Sequence, residues 1–271
     1  MSVRGALVVG MAFAVALVLV VGGRGQAETQ PRLAYNFEQG IQTDPSSGLH
    51  YVVDAMGRVT GSPHDGFLEG ANGGAIELVS DPVADSERGS VATFPGPCAP
   101  TAPAACPKAM IRTDPALSDD LNPGSRPFSF GAVLLMEPAH LNGGSNVVQK
   151  GLFDDPGGQW KLQVDSPPGG PGRPSCSVRG VVDGGPAERV HVEAWKADVA
   201  DGGWHRVVCR RTEDDRLSIF VDGAEENSKP FPQEAGIRND APVTVGAKHL
   251  EGDNNDQFHG ALNRVFFRID D

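Results

Sequence analysis

The sequence predicts an all-β fold, a jelly-roll β-sandwich of two antiparallel sheets. Three observations lead there. Short apolar or alternating runs recur along the chain with turn residues between them. Thirty-five Gly and 22 Pro interrupt any long helical pattern. No window of ten residues keeps a helical period with caps at its ends. Regularly spaced short strands of this kind make sandwiches and jelly rolls.

Residues 1–27 read as a signal peptide and not as part of the fold. Arg4 gives a positive start, residues 6–21 carry no charge, and Gly25 and Ala27 have the small-residue spacing of a cleavage site. Cleavage is expected after Ala27. The alternative is an uncleaved anchor, since the apolar run approaches the roughly 20 residues that span a bilayer. Only under that alternative would the chain meet a membrane. One domain, residues 28–271, follows, with no internal repeat and no linker after residue 35.

Within that domain, 28–34 is a short lead-in. FSFGAVLLM puts Phe128, Phe130, Ala132, Leu134 and Met136 on one face and Val133 and Leu135 on the other, as a central strand covered on both sides requires. NVVQK and WKLQV flank the acidic loop GLFDDPGGQ. SVRGVV and RVHVEAW flank Asp183-Gly184-Gly185, a hairpin signal because glycine accepts the positive φ of a tight turn. WHRVVCRR, LSIFVDG, PVTVGA and FHGALNRVFFRID supply further strands.

Charge and cysteines set the compartment. Removing Arg4 and Arg24 with the leader takes the formal charge from -12 to about -14, which disfavours nucleic acid and favours cations over anions. Cys98, Cys106, Cys176 and Cys209 form an even set in an exported chain, and four cysteines allow three pairings. Cys98–Cys106 would staple a Pro-rich loop, and Cys176–Cys209 would join two strands, expected as neighbours in one sheet. No CxxC spacing supports a redox or zinc site.

The order of segments resembles the concanavalin A-like lectin/glucanase superfamily, and within it the laminin-G-like domains of secreted bacterial proteins. The likeness is carried by AYNFEQG, GSVATFPGP, RPFSFGAVLLM, VVQKG, DGGWHRVVCRRTEDDRLSIFVDGAEE and VGAKHLEGDNNDQFHGALNRVFFRID, spanning residues 33–271. It implies two antiparallel sheets. It also implies a binding or accessory role, since relatives bind glycans or proteins, and a structural calcium ion in many members. The family's last strand often carries Asp where this chain has Asn263.

The residues themselves narrow the chemistry. Glycoside cleavage needs two carboxyl groups at a set separation. Glu188 and Glu193 are five apart, which on a strand turns them to opposite faces. Glu225 and Glu226 follow a turn, no Gly-x-Ser-x-Gly or His-Glu-x-x-His motif occurs, and His205 reads as structural. No catalytic residue is assigned. Calcium wants six to eight oxygens, offered by Asp154 and Asp155, by Asp253 and Asp256 with Asn254 and Asn255, and by Glu38 with Asp270 if the terminal strands meet. Trp204, Phe128, Phe130, Phe220, Phe258 and Phe266 fit strand cores; a sugar could stack on Trp160 or Trp195, with packing in the core the favoured reading of each. Loops 98–106, 151–159 and 251–257 are where recognition would sit. The expected function is a secreted, non-catalytic module binding extracellular carbohydrate. A protein-interaction module and a glycan-cleaving enzyme of the glucanase branch are the alternatives.

Overall fold

Seventeen short strands among the described residues make two antiparallel sheets. The computed structural model describes residues 30–57, 61, 63–80, 89–98, 105–166, 170–182, 185, 187–252 and 255–270. The expected signal peptide and its cleavage site lie outside them. Sheet one contains β1 (Leu33–Tyr35), β5 (Glu77–Ser80), β6 (Ser90–Thr93), β8 (Phe128–Leu135), β13 (Trp204–Arg211), β14 (Arg216–Val221), β15 (Ala224–Pro230) and β17 (Ala261–Ile269). Its order is β15-β14-β13-β8-β17-β6-β5, with β1 also on β17. Sheet two contains β2 (Ile41–Thr43), β3 (His50–Val52), β4 (Gly66–Ala71), β7 (Lys108–Thr113), β9 (Gly144–Lys150), β10 (Gln159–Asp165), β11 (Arg173–Val181), β12 (Ala187–Glu193) and β16 (Val243–Val245). Its order is β12-β11-β10-β9-β16-β7-β4-β3-β2. Two 3-10 segments, Pro115–Leu121 and Pro138–His140, stand between the strands. This is the expected jelly-roll sandwich, and the lead-in already forms β1.

Strand parity builds the core. Trp160, Leu162 and Val164 of β10 are buried inward, and so are Cys176 and Val178 of β11. They meet Phe128, Phe130, Val207, Cys209 and Phe267 from sheet one. Trp160 lies flat on Phe267, centroids 4.9 Å apart and planes 7° apart, and 4.8 Å from Phe130. A ring this deeply packed contributes about 3–5 kcal/mol by comparison with truncation to Ala. Cys98–Cys106 and Cys176–Cys209 are the disulfides, as expected. The second pair is not within one sheet: Cys176 is on β11 and Cys209 on β13, so the bond ties the two layers together. Two other expectations are corrected. Phe220 and Phe266 are only half-buried and line the outer face of sheet one, and Trp204 is half-buried at the start of β13.

β11 and β12 pair from Val181↔Ala187 onward, as the expected hairpin requires; Asp183 and Gly184 lie outside the described residues. His205 is structural. Its Nδ1 is 2.8 Å from Asp222 Oδ2 and its Nε2 3.0 Å from Asp201 Oδ1. Burial alone would lower its pKa, but the hydrogen bonds to Asp222 and Asp201 outweigh it and the net shift is upward.

Two measurements check this account. Cys176→Ala/Cys209→Ala should lower the unfolding free energy in urea by about 3 kcal/mol, because a 33-residue separation is closed. Cys98→Ala/Cys106→Ala, closing eight, should cost less. Equal losses would contradict the layer-joining role. For His205 the folded pKa lies above the unfolded 6.5, so its contribution is complete below that value and is lost as pH rises through the folded pKa. The stability difference between the natural protein and His205→Gln should therefore shrink with rising pH. A difference that stays flat from about pH 5 to about pH 9 would sink the ion-pair account.

Candidate functional site

The inner faces of both sheets are filled by the core, so any site must use the outer faces and the rims. On sheet two the outward residues are polar in successive cross-strand rows. One row runs Thr244, Gln149, Lys161, Ser177, His191 across β16, β9, β10, β11 and β12. The next brings Asn146, Gln163, Ser175 and Glu193 together. This face is well shielded, since Asn146, Gln149, Lys161, Ser177 and Thr244 are all buried. Asn146 Nδ2 and Oδ1, Gln149 Oε1, Thr244 Oγ1 and His191 Nδ1 have no hydrogen-bond partner within the protein. Buried groups left in that state are normally satisfied by water or a ligand.

Two loops flank this face and leave a groove of about 420 Å³ between them. The first, 151–158, is held by the Lys-Gly step that ends β9. Lys150 is fully buried and donates to Asn239 O at 2.9 Å, Asn239 Oδ1 at 3.1 Å and Ala241 O at 2.7 Å. Burial takes its pKa down to about 8, against the opposing pull of Asp240, Asp119 and Asp155. Gly151 follows at φ +78, where a Cβ would come within 2.6 Å of Gly158 O. Gln149 and Gln159 both donate to Gly151 O, and Arg179 donates to Asp155 O. This fixed loop lifts Phe153 clear of the sheet, 54% exposed, with the Arg189 guanidinium 5.3 Å from its ring centroid. Arg189 in turn donates to Ser177 Oγ. The second wall is made by Lys248, His249 and Asp256, where Asp256 Oδ2 accepts from Lys161 at 2.7 Å and Asp256 Oδ1 from Lys248 at 3.3 Å.

The expected site residues divide accordingly. Trp160 is fully buried between the sheets and is no stacking platform; its ring points with Leu162 and Val164 into the core. Trp195 is 68% exposed just past β12. Glu38 and Asp270 do not meet. Their strands are neighbours, but β1 and β17 run antiparallel with Leu33↔Phe267 and Tyr35↔Val265. Asp270 therefore lies beyond the start of β1 and Glu38 beyond its end, where its carboxylate faces Gly89. Asp270 accepts from Arg268 Nε and faces Arg210. Asp256 is neutralised by two lysines, and Asp155 Oδ2 accepts the Leu152 N–H within its own turn. Asp154 is exposed, and Asp253 and Asn254 lie outside the described residues. Glu38 and Asp270 thus stand apart, and Asp155 and Asp256 are each engaged by their own neighbours. The group that does converge is Asp165, His191 and Glu193, whose ligand atoms all lie within 4.8 Å of one another. It was missed because its members are scattered in sequence and meet only through the β10-β11-β12 pairing. Phe153 was missed because it is embedded in a loop that reads as turn. Its one sequence signal is an aromatic residue beside DDPGG with no strand parity to bury it.

Residues 125–267, more than half of the chain, match the family model for laminin-G-like domains, described as concanavalin A-like lectin/glucanases superfamily. The chain belongs to the concanavalin A-like lectin/glucanase superfamily. Comparison with curated proteins finds no match. Among solved structures, the binding domain of Paraclostridial Mosquitocidal Protein 1 is similar at TM-score 0.51 and 11% identity, over 87% of this chain and 48% of that one. A structure of botulinum neurotoxin type C is similar at TM-score 0.52 and 10% identity, over 89% and 48%. This superfamily member thus spans about half the length of those chains, and at such identity the likeness is one of fold.

Proposed function

We propose that this chain is a secreted, non-catalytic module that binds extracellular carbohydrate on the outer face of sheet two. One observation carries the reading: an exposed Phe153 ring beside continuous rows of shielded hydrogen-bonding side chains, several with unpartnered atoms. Sugars need both, an apolar face to stack on and polar groups to read hydroxyls. The groove's described carboxylates are Asp154 and Asp256, and both oxygens of Asp256 are held by ammonium groups, which leaves that pair unsuited to glycoside cleavage; on the same face Asp165 and Glu193 do come together, but both oxygens of Asp165 accept from Gln163 and Ser175. Cell entry of botulinum neurotoxin type C is dependent on interaction with two ganglioside molecules, which gives a fold relative with a glycan-bearing ligand. A protein partner is the second reading, favoured by the apolar hollow that Ile41, Leu68 and Ile76 line toward the β2 edge of the same sheet. No helix of the described residues is long and apolar enough to cross a membrane.

A divalent cation, in this reading, is held by Asp165, His191 and Glu193. Burial lowers the His191 pKa despite the nearby Asp165, which keeps the imidazole neutral and able to ligate. An imidazole with two carboxylates suits zinc better than calcium.

A glycan array on residues 28–271 tests the main reading. Phe153→Ala should weaken any neutral-glycan signal about tenfold, the scale of one lost stacking ring, with an unchanged melting temperature because the ring is exposed. Trp195→Ala should have the smaller effect. A blank array together with a captured protein partner would put the second reading first. For the cation, Zn²⁺ should raise the melting temperature of the natural protein more than Ca²⁺ does, and His191→Ala should abolish the rise. No shift with either ion removes the site.

A further inference from the structure

The outer face of sheet one carries a basic concavity in an otherwise acidic chain. Two rows of outward residues make it. Val208, Gly131 and Phe266 lie side by side across β13, β8 and β17, with Phe220 of β14 beyond Val208. The adjacent row is Arg210, Ser129, Arg268 across the same three strands. Arg206 stands at the far side of the aromatic row, two register positions from Val208 on β13. The hollow between them measures about 410 Å³. Gly131 makes it possible, because a Cβ there would meet Val207 O at 2.3 Å and the Phe266 ring at 3.1 Å. Phe266 therefore lies down over the sheet.

Three features give this hollow a chemistry. Arg206, Arg210 and Arg268 line it together. Asp270 accepts from Arg268 Nε at 2.5 Å and lies 3.7 Å from Arg210 Nε, so one carboxylate orients two guanidinium groups and leaves the cluster positive. Each guanidinium has five donors, so a single carboxylate leaves most of them unspent. The floor is Ser129, 1% exposed and lining the hollow, whose Oγ has no partner within the protein. Guanidinium forks match the two oxygens of a carboxylate or sulfate, and the Phe220 and Phe266 rings offer apolar faces to a pyranose.

We propose that this hollow is a second saccharide site, specific for acidic sugars, with Arg206, Arg210 and Arg268 holding a carboxylate or sulfate group, Ser129 hydrogen-bonding to it and Phe266 stacking on the ring. It goes beyond the reading for sheet two and uses the opposite face of the molecule. It also reverses the expectation that so acidic a chain disfavours anions: the surrounding negative charge opposes non-specific anion binding and leaves the arginine row as the local exception.

Isothermal titration of residues 28–271 with a sulfated heparin tetrasaccharide, a carboxylated tetragalacturonate and neutral maltotetraose tests this. Binding of at least one acidic saccharide, above the neutral control and weakened by added NaCl, is expected. Sulfate-only or carboxylate-only binding names the acid group. Arg206→Ala and Arg268→Ala should each weaken binding about tenfold, the scale of a lost charge-assisted hydrogen bond. Arg206 is exposed, so its variant folds as the parent does. Phe153→Ala should leave this binding intact, which separates the two sites. Acidic saccharides bound no better than maltotetraose, or bound equally by both arginine variants, would overturn the proposal.

Discussion

The structure depends on one junction between its layers. Trp160 of sheet two is clamped against Phe130 and Phe267 of sheet one, and the Cys176–Cys209 bond lies in the same buried cluster. Strand alternation then fixes everything else. Once Trp160 points inward, Lys161 and Gln163 must point outward, and through register so must Gln149, Ser177 and His191. Once Cys209 points inward, Arg206, Val208 and Arg210 must face out on the opposite side. Core and both candidate sites are two sides of one set of strands, and a slip of one residue would exchange them.

That coupling also decides what was legible. The sandwich, the central strand Phe128–Leu135, the hairpin before β12 and the Cys98–Cys106 staple were readable, because each rests on local alternation or short-range turn chemistry, whereas Cys176 and Cys209 were paired rightly but joined the layers and not neighbouring strands. For Trp160 the core reading was the right one, and its signal is plain: WKLQV places Trp, Leu and Val on one parity and Lys and Gln on the other. Phe266 was misjudged. FHGALNRVFFRID offers two adjacent phenylalanines, and only Phe267 shares the core-facing parity of Val265 and Ile269. Contacts between strands were not legible at all. β1 and β17 are neighbours, yet their antiparallel sense holds Glu38 and Asp270 apart, and the Asp165–His191–Glu193 group appears only once three strands are laid side by side.

The acids of the loops show what carboxylates do beside buried cations and in turns. Asp and Asn cluster at 154–155 and 253–256 as a calcium loop would require. In the fold, Asp155 closes a turn and Asp256 compensates Lys161 and Lys248. Buried lysines need such partners, because an ammonium withdrawn from water without one is costly. Asp155 and Asp256 thus shape the rim of the groove.

Two β-bulges complete the argument. On β9 the pairing steps from Leu162↔Val148 to Gln163↔Asn146, so Val147 is an extra residue. In a regular pairing without the bulge Asn146 would share the parity of Val148 and turn into the core; with the bulge, an unpartnered amide joins the polar face. On β17 the pairing steps from Asn263↔Val133 to Phe266↔Gly131, again adding one residue. Arg264 absorbs it at φ +48, with its N–H donating to Asn263 Oδ1. This is what the Asn at position 263 does here. The bulge reverses parity along β17, sending Val265, Phe267 and Ile269 inward and Phe266 and Arg268 outward. The same step therefore supplies Phe267 to Trp160 and Arg268 to the basic hollow. A β17 without the bulge, kept in register at Leu262, would turn Phe267 outward and Arg268 inward, and would lose the aromatic clamp and the arginine row together.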